Sequence, residues 1–167
     1  GCHRPEFLND YANIMVELAL SVPNDDLIYQ ATLLYTEAIE TSETSSEKEK
    51  AFRFFNLGCC YQRLFEATCK RDFFLKADHS FEMTTALNPH FCVAWERWGL
   101  LLFRGWRIWR EEKLLSTTLF ALKTAEKGGF VTPVGLATIS QALLWLAVTK
   151  GSPGNIKSAN KYAKKAM

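Results

Sequence analysis

The sequence predicts an all-α fold, an antiparallel helix-hairpin solenoid of about eight helices. The first observation is the set Phe54, Leu57, Gly58 and Tyr61, whose spacings of 3, 1 and 3 place them on one face of a helix. The second is the pair Ala77 and Phe81, four residues apart, followed by Pro89. The third is that no alternating apolar run is joined by the two-residue glycine turns of β-hairpins.

Gly58 is expected to mark a close helix contact. A glycine inside a helix costs about 1 kcal/mol relative to alanine, so its place needs a packing reason. A missing Cβ lets a second helix approach, and Ala77 and Phe81 supply a small residue and a large one for that contact. Pro89 is expected to end the second helix.

These residues, in this order, resemble the tetratricopeptide repeat, whose pattern is W-x2-L-G-x2-Y, then A-x3-F, then P. The resemblance covers most of the chain in about four repeats, treated as one domain over residues 1–167. It implies a right-handed superhelix of helix hairpins. It also implies a module that binds protein partners and performs no chemistry.

The first two repeats are expected at residues 12–45 and 51–91. In the first, Asn24 is a good N-cap after Pro23, and Ala31 lies twelve residues after Ala19, as the family spacing requires. In the second, seven extra residues near 67–73 amount to almost two helical turns, so they lengthen the hairpin and keep its faces. Ser46 with Glu49 predicts a capping box.

The third repeat, residues 92–129, has Trp98 and Gly99 in its first helix. Its second helix is expected to present Ser116 and Phe120, after a connector at 104–110 with about five extra residues. Three arginines and two tryptophans alternate in that connector. We interpret the tryptophans as closing the hairpin and the arginines as solvated, in preference to stacking on bases or lying at a membrane surface. Gly128 and Gly129 are expected to end the repeat.

The fourth repeat, residues 140–167, follows Thr132 and Pro133, an N-cap with a first-turn proline. Ala147 takes the small position of its first helix. The family spacing then assigns the turn and second-helix positions to Gly154, Ala159, Ala163 and Ala166. Because this repeat is incomplete, we expect the chain to be a piece of a longer protein.

Composition excludes several classes of protein. Apolar residues make up 48% and charged residues 23%, which favours a folded domain over disorder. A net charge of +2 gives little attraction for nucleic acid, and no apolar run is long enough to span a membrane. Five cysteines without C-x-x-C spacing are interpreted as reduced thiols, which favours a cytoplasmic location. Gly1 and Cys2 resemble a processed lipoprotein end, although a remnant of cloning is favoured.

Enzyme signatures are also missing from the sequence: there is no G-x-S-x-G, no phosphate-binding glycine loop and no H-E-x-x-H. His79 and His90 lie eleven residues apart without a partner at metal-ligand spacing, so they are interpreted as surface or capping residues. We therefore expect no enzyme, no cofactor and no metal site.

The resemblance implies a concave groove lined by the first helices. Carrying the family's groove positions onto this sequence gives a candidate peptide-binding set: Val16, Leu20, Phe52, Phe55, Asn56, Cys59, Arg63, Arg97, Leu100, Phe103, Arg104 and Trp145. Family members that grip a terminal carboxylate use Lys, Asn and Arg there. Only Asn56 and Arg97 match those places, whereas Val16, Leu20 and Val93 do not.

The set instead predicts an apolar groove edged by arginines, suited to an amphipathic helix or an apolar segment with acidic flanks. The small secretion chaperones of this family hold export substrates in a similar way, so a scaffold or chaperone role is expected. Two alternatives stay open. The groove residues are packed core, or the segment serves assembly, with its groove filled by its own chain or by another copy. A nucleic-acid-binding array is the least favoured.

Overall fold

The computed structural model of the protein describes residues 4–43 and 45–167, and within those ranges it is built of eight α-helices without a strand. The helices are α1 (Pro5–Ser21), α2 (Asp25–Glu40), α3 (Glu47–Thr68), α4 (Arg71–Leu87), α5 (Cys92–Trp109), α6 (Glu112–Lys127), α7 (Pro133–Lys150) and α8 (Pro153–Ala166). The all-α hairpin fold is confirmed. The expectation for Gly1 and Cys2 lies outside the described residues.

The chain divides into two compact units, residues 1–89 and 90–167. In the first unit α1 pairs with α2, α3 pairs with α4, and α2 packs against α3. In the second unit α5 pairs with α6 and α7 pairs with α8, while α7 packs against both helices of the preceding hairpin. Each unit is thus a stack of two consecutive hairpins.

The helix starts predicted from single residues are confirmed. Asn24 Oδ1 accepts from the Asp26 backbone N–H at 2.9 Å at the start of α2. Ser46 and Glu49 form the reciprocal capping box of α3. The hydrogen bond from the Ser46 backbone N–H lowers the pKa of Glu49 below its usual range. Thr132 Oγ1 accepts from Gly135 N at 3.2 Å and caps α7.

The close contact at Gly58 is confirmed as well. A Cβ placed on Gly58 would lie 3.0 Å from Cε1 of Phe81, on the facing helix α4. Phe81 and Ala77 are both completely buried. The absence of a side chain at Gly58 therefore makes room for the Phe81 ring, as the 3, 1, 3 spacing predicts.

The seven extra residues of the second hairpin lengthen its first helix. Gly58 and Ala77 are 19 positions apart, against 12 for Ala19 and Ala31 in the first hairpin. The helix α3 absorbs the difference, and Cys69 closes it in the left-handed conformation, with φ 54°. Packing of Phe65 against Phe74, with ring centroids 5.4 Å apart, fills the added length.

The third hairpin corrects the sequence prediction. Residues 104–109 are not a connector, because α5 continues through Trp109 and ends in the left-handed residue Arg110, with φ 58°. Gly99 faces Leu122, whose Cγ would lie 2.6 Å from an added Cβ. Phe120, predicted for that place, is 60% exposed. The expected partner Ser116 is exposed as well.

The contact residues of α6 are therefore Thr118 and Leu122, both fully buried. Gly99 and Thr118 are 19 positions apart, the same separation as Gly58 and Ala77 in the second hairpin. The insertion in the third hairpin is thus seven residues, not five. Seven residues keep the lengthened helix in phase with its partner, which an insertion of five does not.

The fourth hairpin is shorter and corrects two further residues. The turn glycine is Gly151, at φ 62°, and not Gly154, which lies in the first turn of α8. Ala159 is fully buried twelve positions after Ala147, as predicted. Ala163 is exposed, so it is not a packing residue.

Candidate functional site

In the first unit two hydrogen bonds join α1 and α3. Asn56 Nδ2 donates to Asn13 Oδ1 at 3.4 Å, and Arg63 donates to the Ala19 carbonyl at 3.3 Å. Asn13 Oδ1 also accepts from the hydroxyl of Tyr35 at 2.5 Å. Burial raises the pKa of this hydroxyl well above its usual range, which keeps it a donor. Polar contacts therefore hold Asn56 and Arg63, two residues of the predicted groove set, against α1.

The candidate residues of the first unit differ in exposure. Leu20 and Phe52 are the open ones, with 60% and 50% of their surface exposed. The half-buried ones are Val16, Phe55, Asn56, Cys59 and Arg63. Phe55 packs against Phe81, with ring centroids 6.0 Å apart. Arg63 binds a carbonyl at the end of α1, so its place is explained by the contact between helices.

In the second unit the candidate residues divide in the same way. Arg97 and Arg104 are exposed, Leu100 is half-buried, and Trp145 is 43% exposed. Phe103 is only 7% exposed and stacks on Trp106 with ring centroids 5.3 Å apart. The expectation that Phe103 lines an open groove is therefore wrong, because its ring is packed core.

A cleft of about 610 Å³ opens beside Trp145. Its lining comes from α5, α6 and α7 together with the residue that ends α5: Trp106, Arg110, Glu112, Leu115, Trp145, Leu146, Thr149 and Lys150. Trp106 and Trp145 meet edge to face at 5.3 Å. The guanidinium of Arg110 lies over both rings, 4.6 Å and 5.0 Å from their centroids. The cleft therefore combines an apolar wall with a cation held in place by cation–π contacts.

Sequence reasoning missed most of this cleft. It placed Trp106 and Arg110 in a connector, whereas the two-turn extension of α5 brings them beside α7. The one signal in the sequence was the second hairpin: an insertion of seven residues keeps its helices in phase, and the same insertion in the third hairpin extends α5 over Trp106. Lys150 forms an ion pair with Glu112 at the cleft rim, whereas Arg110 lies over the two tryptophan rings.

A second cleft, of about 460 Å³, lies in the first unit between α2, α3 and α4. Apolar side chains dominate its wall, among them Ile39, Phe54, Leu57 and Leu75. Lys76 lies 5.6 Å from the ring centroid of Tyr61 at its edge. None of these residues belongs to the predicted groove: Ile39, Leu75 and Lys76 lie on second helices, and the α3 residues of the cleft are not among the predicted positions.

Glu96 is the most buried acid of the second unit, with 5% of its surface exposed. Its Oε1 accepts from the backbone N–H of Thr132 at 2.6 Å and from the Thr132 hydroxyl at 2.7 Å. A Cβ on Gly135 would lie 2.5 Å from the same oxygen. The carboxylate is thus seated at the N-terminus of α7, where the helix dipole favours negative charge. Its role is structural.

Two cysteines of the first unit, Cys60 and Cys69, offer a direct test of burial. Cys59, Cys60, Cys69 and Cys92 are free thiols among the described residues. Burial raises the pKa of Cys60 to about 12, whereas Cys69 is exposed. Because the thiolate is the reactive form, we expect iodoacetamide at neutral pH to modify Cys69 and to spare Cys60 in the folded protein. Peptide mass mapping checks this, and equal labelling of both would contradict the packing.

Across residues 4–43 and 45–167 no group of three or more His, Cys, Asp or Glu side chains is placed to hold a metal ion. His79 and His90 are both exposed. None of the helices described is long and apolar enough to cross a membrane. Comparison of the sequence with protein-family models and with curated proteins gives no match.

Proposed function

We propose that this chain is a tetratricopeptide-like, non-enzymatic module that binds a peptide or amphipathic helix of a protein partner, as a scaffold or chaperone does. The observation that carries the proposal is the cleft between Trp106 and Trp145 with Arg110 above both rings. A wall of large apolar side chains with one oriented cation suits an apolar side chain that has a carboxylate beside it.

Apolar residues continue from this cleft along the exposed face of α7. Leu144 is 40% exposed and Val148 is 80% exposed, and with Trp145 they form a row at helical spacing. Arg97 and Arg104 add exposed positive charge on α5. These features support a ligand that presents an apolar face with acidic flanks, the ligand that the groove chemistry predicts.

The test uses a labelled, designed amphipathic peptide with leucines on one face and glutamates beside them. We expect it to bind, and we expect Trp145→Ser to weaken binding by about tenfold or more, as loss of a central aromatic contact does. Fluorescence anisotropy gives the dissociation constant. Phe52→Ser tests whether the exposed candidate residue of the first unit also contributes to peptide binding. Ile108→Ser is the matched control, because Ile108 and Phe52 are both 50% exposed.

A peptide with glutamine in place of glutamate separates the two parts of the proposal. Weaker binding of the glutamine peptide would show that the arginines contribute. Equal loss with Trp145→Ser and Ile108→Ser, in variants that stay folded by circular dichroism, would contradict a specific cleft. The chain would then be better described by the assembly alternative.

A further inference from the structure

Helix α1 has an apolar row that faces away from its partner α2. Its members are Phe7, Tyr11, Ile14 and Leu18, which are 68%, 56%, 60% and 50% exposed. Their spacings of 4, 3 and 4 place them on one face of the helix. We call this set the α1 row.

The C-terminal half of this face has buried counterparts in the next hairpin. The small contact residues are Ala19 in α1 and Gly58 in α3. Leu18 and Leu57 lie one position before them, and Ile14 and Arg53 lie five positions before them. Leu57 and Arg53 are only 6% and 5% exposed, and Leu57 belongs to the core shared with α1 and α2. Two residues of the α1 row, Ile14 and Leu18, therefore correspond to residues of α3 that are buried where it packs against the first hairpin.

Helix α8 has the matching face at the other end of the chain. Ile156, Asn160 and Ala163 of α8, with Met167 directly after the helix, are all exposed and follow one another at spacings of 4, 3 and 4. The reference residues are the buried alanines Ala159 of α8 and Ala31 of α2. Counted from them, Ile156, Asn160 and Ala163 correspond to Ile28, Thr32 and Tyr35 of α2. Those residues are 0%, 0% and 2% exposed. This face of α2 is buried because α2 packs against both α1 and α3, whereas the corresponding face of α8 is exposed.

The two faces carry opposite charge. Residues 5–43 contain eight acidic and no basic side chains, whereas residues 127–167 contain six basic and no acidic ones. Asp10 and Glu17 border the α1 row, and Lys157, Lys161 and Lys164 border the row on α8. An α1 row therefore repels a second α1 row, and the α8 face repels another α8 face, while the two attract each other.

We propose that α8 of one copy of this chain docks on the α1 row of a second copy, so that copies associate head to tail. In this contact the second helix of one hairpin packs against the first helix of another, as α2 packs against α3 and α6 packs against α7. Because the two surfaces differ, the interface is heterologous, and each added copy leaves one further surface of each kind until a ring closes.

Sedimentation velocity over about a hundredfold range of concentration tests the proposal. We expect the sedimentation coefficient to rise with concentration and to fall as salt is added, because the bordering charges are exposed. Asp10→Lys with Glu17→Lys reverses the first surface, and Lys157→Glu with Lys161→Glu reverses the second. Each double variant is expected to weaken self-association by about tenfold or more.

Mixing the two double variants identifies the surfaces that meet. In the mixture each reversed surface finds an oppositely charged surface on the other variant, so association is expected to return. A variant with all four substitutions should associate by itself for the same reason. Lys70→Glu with Lys113→Glu changes the net charge by the same amount as the double variant on α8, at exposed positions outside both surfaces, and it should associate like the unsubstituted chain.

Three results would overturn the proposal. A size that stays constant on dilution would mean that copies do not pair, or that the two surfaces pair within one chain. Association that survives both double variants would place the contact elsewhere. Variants that fold by circular dichroism and fail to associate when mixed would show that the two surfaces do not meet.

Discussion

Replacing Phe81 with alanine is expected to lower the free energy of unfolding of the first unit by about 3–5 kcal/mol. Phe81 is completely buried, and its ring fills the space that Gly58 leaves open. Removing the ring leaves a cavity that the facing backbone of α3 cannot close. Leu122→Ala is expected to cost the second unit about 2–5 kcal/mol, because Leu122 takes the same place against Gly99.

Phe120→Ala is the control for this prediction. The residue type at position 120 matches the family pattern, but Phe120 is 60% exposed and rests edge to face on Trp95. Its replacement is expected to cost about 1 kcal/mol or less. A Phe120→Ala variant as unstable as Leu122→Ala would contradict the packing of α6.

Urea unfolding can follow the two units separately. All five tryptophans lie in residues 90–167, so intrinsic fluorescence reports the second unit, while circular dichroism reports the helices of both. We expect Phe81→Ala to change the dichroism transition and Leu122→Ala to change the fluorescence transition. A loss below about 1 kcal/mol for Phe81→Ala would show that the Gly58 contact is unimportant.

Replacing Glu96 with methionine is expected to lower the free energy of unfolding of the second unit by about 2–3 kcal/mol. The shape is nearly kept, but the N–H and hydroxyl of Thr132 both lose their acceptor. The N-terminus of α7 also loses a buried negative charge. Tryptophan fluorescence during urea unfolding measures the effect.

Glu96→Gln separates the hydrogen bonds from the charge, because its amide oxygen can still accept from both the N–H and the hydroxyl of Thr132. We expect it to cost about half as much as Glu96→Met. An equal cost for the two variants would assign the whole effect to the charge. No loss in either variant would contradict the structural role of Glu96.

Much of the fold was predictable from short-range patterns. Asn24, Ser46, Thr132 and the two glycines after α6 act on the backbone within four residues, so their effect is local and visible in sequence. The contact of Gly58 with Phe81 was also predictable, since one small and one large residue at helical spacing have few other uses. These features determined eight helices in four hairpins.

Only the tertiary structure decided which residues of the third hairpin pack and which remain exposed. In sequence, Ser116 with Phe120 and Thr118 with Leu122 have the same spacing of four, and the aromatic residue favours the first pair. In the fold, the extension of α5 turns Leu122 towards Gly99 and leaves Phe120 outside. The same extension buries Phe103 and builds the cleft at Trp145. Spacing fixes a face of one helix, but the neighbouring helix decides whether that face is covered.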